Sequence, residues 1–194
     1  MGSPREVFVT LGQTLTRTQR LTPHPDIPST AVDRLEVEVG RGETTLTLRY
    51  QLFGNLSRIR LPDFERQGRA DGLWRSTCFE AFVKPEVGDG YLECNFAGFQ
   101  WATYRFSGYR EGLTEAAVQP WAIEGGIDWL SVEIEPGRFA RPDLPAPDWR
   151  VGLSAVIEDV DGGISYWALA HPPGKPDFHH PDSFALTLPP PEPA

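Results

Sequence analysis

The chain is poor in the residues that most often announce chemistry, with only two cysteines and one methionine among its 194 residues. Cys78 and Cys94 fall on opposite faces of neighbouring strands in the alternation described below, which is poor geometry for a disulfide. Without a disulfide framework, a reducing, cytoplasmic compartment is the expectation. No apolar run approaches the length needed to span a bilayer, and the opening MGSPREVFVTLGQ lacks the hydrophobic stretch of a signal peptide. A sustained 3.6-residue apolar period is missing too, which excludes a helical framework. So are a nucleophile elbow, a phosphate-cradling glycine loop, a paired-cysteine motif, a dinucleotide fingerprint and any internal repeat.

Positive charge is scarce and scattered: 18 Lys and Arg stand against 27 Asp and Glu, for a net charge of -9. A field of that sign repels phosphate backbones and anionic lipid. Nucleic acid and membranes are therefore not expected partners, and a small polar ligand is.

What is present is alternation. Val32 to Val39 places Leu35, Val37 and Val39 on one parity and Arg34, Glu36 and Glu38 on the other. Gly40-Arg41-Gly42 then turns the chain into Thr44 to Tyr50, and Gln51 to Leu61 continues it with an interruption near Gly54-Asn55. Val118 to Glu124 and Asp128 to Glu135 read as strands joined across Gly125-Gly126. Trp149 to Asp159 and Ile164 to Ala170 form a hairpin turned by Asp161-Gly162-Gly163. A short strand over Val7 to Leu11 and a terminal one over Ser183 to Leu188 complete the set. Loops are expected at Thr22 to Pro28, Asp63 to Gly72, Arg141 to Asp148 and HPPGKPDFHHPD. The expectation is an all-β, largely antiparallel two-sheet β-sandwich, with residues 1–188 as one domain and 189–194 as a disordered proline-rich tail.

The stretch from Leu73 to Phe106 carries the candidate site. In LWRSTCFEAFV, YLECNFA and WATYRF, one parity is apolar: Phe79, Ala81 and Val83, then Leu92, Cys94 and Phe96, then Ala102, Tyr104 and Phe106. The other carries Glu80, then Tyr91, Glu93 and Asn95, then Trp101, Thr103 and Arg105. A three-residue loop at Gly98-Phe99-Gln100 would set Asn95 across from Thr103 and Glu93 across from Arg105. Taken alone, Glu93 and Arg105 are a surface ion pair of ~0.2 to 1 kcal/mol.

LWRSTCFEAFV, YLECNFAGFQWATYRFSGYREG and YWALAHPPGKPDFHHPDSFAL together resemble the bacterial DOMON-like proteins, which are related to the family-nine carbohydrate-binding modules. The likeness covers most of the chain after Val32. It implies a β-sandwich, described for such modules as a jelly roll, with ligand contacts on one sheet face and its edge loops. In the sugar-binding relatives a Trp ahead of the strand, a Glu six residues later and an Arg on a neighbouring strand belong to the site, and Trp74, Glu80 and Arg105 match in order and kind. A second aromatic near the C-terminus closes a clamp in those relatives, preceded by an amide residue. Its counterpart here is Phe178, preceded by Asp177. Haem-binding DOMON relatives use Met and His as axial ligands. The single methionine of this chain is Met1, so only a two-histidine version from His171, His179 or His180 would be open.

Pyranose binding needs an aromatic plane against the C–H face of the ring and charged or amide groups aimed at hydroxyls. Trp74, Trp101, Trp167, Glu80, Glu93, Asn95 and Arg105 offer both, whereas Trp129 and Trp149 read as core. Three other readings stay open. Glu80 and Glu93 are a conceivable glycosidase pair. His171, Asp177, His179 and His180 have metal-ligand chemistry, although adjacent His179 and His180 on an extended chain point to opposite sides. The same sheet face could also dock a protein partner. A non-catalytic module for a saccharide, needing no cofactor, is the reading these residues favour.

Overall fold

In the computed structural model, residues 9–11, 14–137 and 146–192 are described. The expected N-terminal strand lies partly outside them, as do most of the connection from Arg141 to Asp148 and the last residues of the tail. The strands are β1 (Val9–Leu11), β2 (Thr14–Pro23), β3 (Val32–Arg41), β4 (Leu46–Gly54), β5 (Gln67–Arg69), β6 (Cys78–Pro85) and β7 (Tyr91–Ala97). They continue with β8 (Phe99–Phe106), β9 (Thr114–Glu115), β10 (Pro120–Gly125), β11 (Trp129–Ile134), β12 (Trp149–Glu158), β13 (Ile164–Ala168) and β14 (Leu186–Leu188). Three short 3-10 turns, at Leu56–Arg58, Leu73–Arg75 and Pro181–Ser183, are the helical elements among the described residues.

The fold is all-β, but two separate sheets are not what forms. A single curled sheet runs β10-β11-β4-β3-β2-β13-β12-β6-β7-β8-β5, with β1, β9 and β14 attached to β2, β8 and β12. The difference lies in β2, which the alternation reading does not find. Its sequence TLTRTQRLTP offers little apolar periodicity, yet β2 pairs with β3 on one side, while Thr22 and Pro23 pair with Ala168 and Trp167 of β13 on the other. That strand joins what would otherwise be two halves. The sheet is mixed because β5, in a stretch read as loop, pairs in parallel with β8.

The curl closes one core between the halves. Leu46, Leu48 and Tyr50 of β4 and Leu130, Val132 and Ile134 of β11 meet Ala81 and Val83 of β6, Leu92, Cys94 and Phe96 of β7, and Val151, Leu153 and Ala155 of β12. Every side chain of β7 and nearly every one of β6 and β12 is buried, so these strands are covered on both faces. A second apolar cluster accounts for the outer covering: Phe82, Tyr91, Val156 and Ala168 pack there against Phe178 and Phe184 of the C-terminal loop. Cys78 and Cys94 are free and buried.

Tyr50 bridges the core. Its hydroxyl, fully buried, donates to the main-chain carbonyl of Glu80 at 2.7 Å, tying one half of the sheet to the strand that carries the site. Tyr50→Phe removes the donor and keeps the shape. The expected loss is about 1 to 2 kcal/mol in urea denaturation, with an unchanged slope.

Candidate functional site

The site lies on the outer face of β6, β7, β8, β12 and β13. Strand pairing puts Glu80 beside Asn95 and Ser154, with Glu93 beside Phe82 and Tyr104, and Val156 beside Tyr166. Glu80, Glu93, Asn95, Tyr104, Phe106, Val156 and Tyr166 therefore share one face. Two loops wall it, one from Ser107 to Leu113 and the other from His171 to Phe184, and the Leu73–Arg75 turn forms its rim. Between them is a cavity of about 460 Å³ lined by Trp74, Glu80, Glu93, Tyr104, Phe106, Arg110, Tyr166, Phe178 and His179, among others.

Trp74 is placed by its turn. Gly72 takes a left-handed backbone at φ 75°, which glycine adopts without a Cβ clash, and opens the 3-10 turn carrying the indole. Asp71 accepts a hydrogen bond from the Tyr104 hydroxyl at 2.5 Å, and the Trp74 and Tyr104 rings meet edge to face at 5.9 Å. Trp74 keeps 41% of its surface exposed, which suits a rim residue.

The floor is acidic and dry. Glu80 is 2% exposed and accepts one hydrogen bond, from Ser154 Oγ at 3.3 Å. Burial, reinforced by the nearby Glu93, pushes its carboxyl up to about 8, so Glu80 carries its proton at neutral pH. Glu93 is raised as well, by burial, against the opposing pull of Asn95 and Arg110. Asn95 Nδ2 donates to Glu93 Oε1 at 2.7 Å, and the buried Asn95 Oδ1 has no hydrogen-bond partner. His179 Nδ1 lies 2.8 Å from the Tyr91 hydroxyl, and its Nε2 is 3.8 Å from Glu93 Oε2. That last contact is an ion pair only if the ring is protonated. Burial holds His179 down to about 4, so at neutral pH the ring is uncharged.

The cation at the wall is Arg110, in a turn where its backbone adopts φ 55°, a left-handed conformation uncommon outside glycine. Its guanidinium donates to Asp177 Oδ1 at 2.7 Å, and Tyr109 donates to Asp177 Oδ2 at 2.5 Å.

Of the sequence-derived candidates, Trp74, Glu80, Glu93, Phe178 and His179 come together at the cavity, and Asn95 sits in the same face beside Glu80. Asp177 serves it indirectly by holding Arg110. Arg105 and Trp101 do not join them. Gly98, at φ 60°, begins a two-residue turn, so Ala97 pairs with Gln100 and Glu93 with Tyr104. The expected three-residue loop was one residue too long, and that slip moves every β8 side chain to the other face. Arg105 donates to the Pro136 carbonyl on the far side, and Trp101 packs against the main core. Tyr104 and Phe106, read as core, take their places at the site. Trp167 is 2% exposed and belongs to the main core. Arg110 was legible only as a turn residue. Nothing local in the sequence marks it as part of a site.

His171 stands apart, with Nε2 2.9 Å from the Thr22 carbonyl, while His180 Nδ1 accepts the Asp182 amide at 3.2 Å. Among the described residues, no three His, Cys, Asp or Glu side chains gather as a metal ion would require.

No protein-family model matches the chain, and no curated protein matches it. Solved structures do. A supposed carbohydrate-binding protein from Bacteroides uniformis superposes with a TM-score of 0.63 at 16% identity, over 86% of this chain and 83% of that one. The architecture is shared at that level of identity.

Glu80 makes folding stability pH-dependent. The unfolded carboxyl titrates near 4.5 and the folded one near 8, so between those values the folded chain holds the extra proton. The stability contributed by the neutral form is complete below 4.5, declines as pH rises, and is lost through about 8. Glu80→Gln, always neutral, should therefore be more stable than wild type by on the order of 3 kcal/mol above that window and indistinguishable below it. Urea midpoints taken across the pH range would reveal the converging curves.

Proposed function

We propose that the protein is a non-catalytic binding module whose cavity takes a saccharide, as a DOMON-like relative of the family-nine carbohydrate-binding modules. On this reading the curled sheet is a variant of their β-sandwich whose halves remain joined through β2. The observation that carries the proposal is the combination in one cavity of an exposed indole, Trp74, with the buried carboxyls of Glu80 and Glu93 on the floor, beside which Asn95 lies on the same strand face. An aromatic ring covers the apolar face of a pyranose, and buried acceptors then fix its hydroxyls. The unpartnered Asn95 Oδ1 is one acceptor with unused capacity. Phe178, on the C-terminal loop, faces the same cavity and supplies the second ring of a clamp. The carbohydrate-binding description of the Bacteroides uniformis protein of similar fold points the same way.

A binder rather than a glycosidase is favoured by the surroundings of Glu80 and Glu93. Both are buried at the cavity floor, and each has a neighbouring side chain donating to it, an arrangement suited to holding a ligand still. No cofactor enters this reading.

Calorimetric or chemical-shift titration with a panel of mono- and disaccharides should detect binding to the wild type. Trp74→Ala, which alters a half-exposed residue, should weaken it at least about tenfold with the fold intact. A panel that yields neither heat nor shifts would count against the saccharide. Turnover of a glycoside, abolished by Glu80→Gln with binding retained, would replace the binding module with an enzyme.

A further inference from the structure

We propose that the saccharide this cavity selects carries a free ammonium group, as an amino sugar does; the inference rests on the saccharide reading above and narrows it.

The floor presents the carboxyls of Glu80 and Glu93, acceptors once ionised, and Asn95, whose Oδ1 is orphaned, lies beside Glu80 on the same strand face. Donors at the walls are largely committed: the Tyr104 hydroxyl to Asp71, and Arg110 to Asp177 at 2.7 Å. A neutral sugar hydroxyl both gives and accepts hydrogen bonds. An ammonium only gives, with three donors and no lone pair, and so fits an excess of acceptors.

Two carboxyl groups are buried on one face, and Arg110, the cation lining the same cavity, already has its charge matched by Asp177. Buried like charges without a counter-ion are costly, and a proton kept on Glu80 relieves the cost. The surroundings of Glu80 agree: the fully buried Tyr50 hydroxyl, bonded to the Glu80 carbonyl, is un-ionised. Glu93 on β7 repels its ionised form, Ser154 on β12 gives a single long hydrogen bond, Cys78 on its own strand is an un-ionised thiol, and His179 on the C-terminal loop is uncharged. A cation brought by the ligand would take the place of that proton.

Trp74, Tyr104, Phe106, Tyr166 and Phe178 all border the cavity, and ring faces attract a desolvated cation through their quadrupoles. Rings and acids in one cavity are the composition of cation recognition.

The test is calorimetric titration of the full chain at pH 6.5 with glucosamine, N-acetylglucosamine, glucose and choline. Glucosamine should bind at least tenfold more tightly than its acetylated form or glucose, and its heat should vary with the ionisation enthalpy of the buffer, reporting release of the Glu80 proton. Glu80→Gln should cut the preference to less than threefold, with Glu93→Gln as the second variant should the first not fold. Equal binding of the three sugars overturns the ammonium while leaving the saccharide standing. Binding of choline with none of the sugars upholds the cation and overturns the saccharide. Silence from all four overturns both.

Discussion

Strands β6, β7 and β12 are covered on both faces, and most of what is unusual in this protein follows from that constraint. A sheet with one wet face can carry glutamates outward at little cost, because water solvates them. Here the curl covers the inner face and the C-terminal loop covers the outer one, so Glu80, Glu93, Asn95 and Ser154 are enclosed with whatever partners the fold supplies. The partners are few. Ser154 serves Glu80, Asn95 serves Glu93, and one amide oxygen is left without any. An enclosed polar group short of partners is costly, and apolar residues would stabilise a purely structural face better.

The polar face is tolerable because its apolar surroundings are extensive. Phe82 packs against His179 and Phe184, and Tyr91 stacks on Phe106 with ring centroids 4.8 Å apart and planes within 8°. This outer cluster anchors the loop from His171 to Phe184 on the sheet, and the main core on the other side anchors the strands. The acids thus sit on a platform held by packing on both sides. A rigid floor is what directed hydrogen bonding to a ligand requires.

Much of this was legible in the sequence. Hairpins β3-β4 and β12-β13 follow from alternation broken by glycine turns, Glu80 and Glu93 follow from the parity of β6 and β7, and Trp74 follows from its place in the loop ahead of β6. Elsewhere the signal is physically absent. β2 is a strand because of its two neighbours rather than because of its own apolar residues, and one missed strand is enough to turn a continuous sheet into two. The β7-β8 turn differs by one residue between the expected and the observed geometry, and a period of two amplifies that into an exchange of Arg105 for Tyr104 at the site. Arg110 owes its place to a backbone conformation and to an aspartate 67 residues away, neither of which local pattern can reveal.

That last residue ties the two wall loops together. Placing a non-glycine residue at φ 55° costs of order 1 kcal/mol, and the surrounding contacts must offset it. They form a closed circuit. The Arg110 amide donates to the Tyr91 hydroxyl, whose oxygen lies 2.8 Å from His179 Nδ1. The Arg110 side chain reaches Asp177, whose Oδ1 also accepts the His179 amide. The Ser107 to Leu113 loop and the C-terminal loop are therefore knit to each other and to β7, so lifting either one breaks several hydrogen bonds at once. Trp74 has no such tie in its own side chain beyond an edge contact with Tyr104, and it is the most exposed of the cavity's aromatic residues. A ligand thus meets least resistance at the indole rim, passing the ring that would cover it before reaching the carboxyl groups beneath.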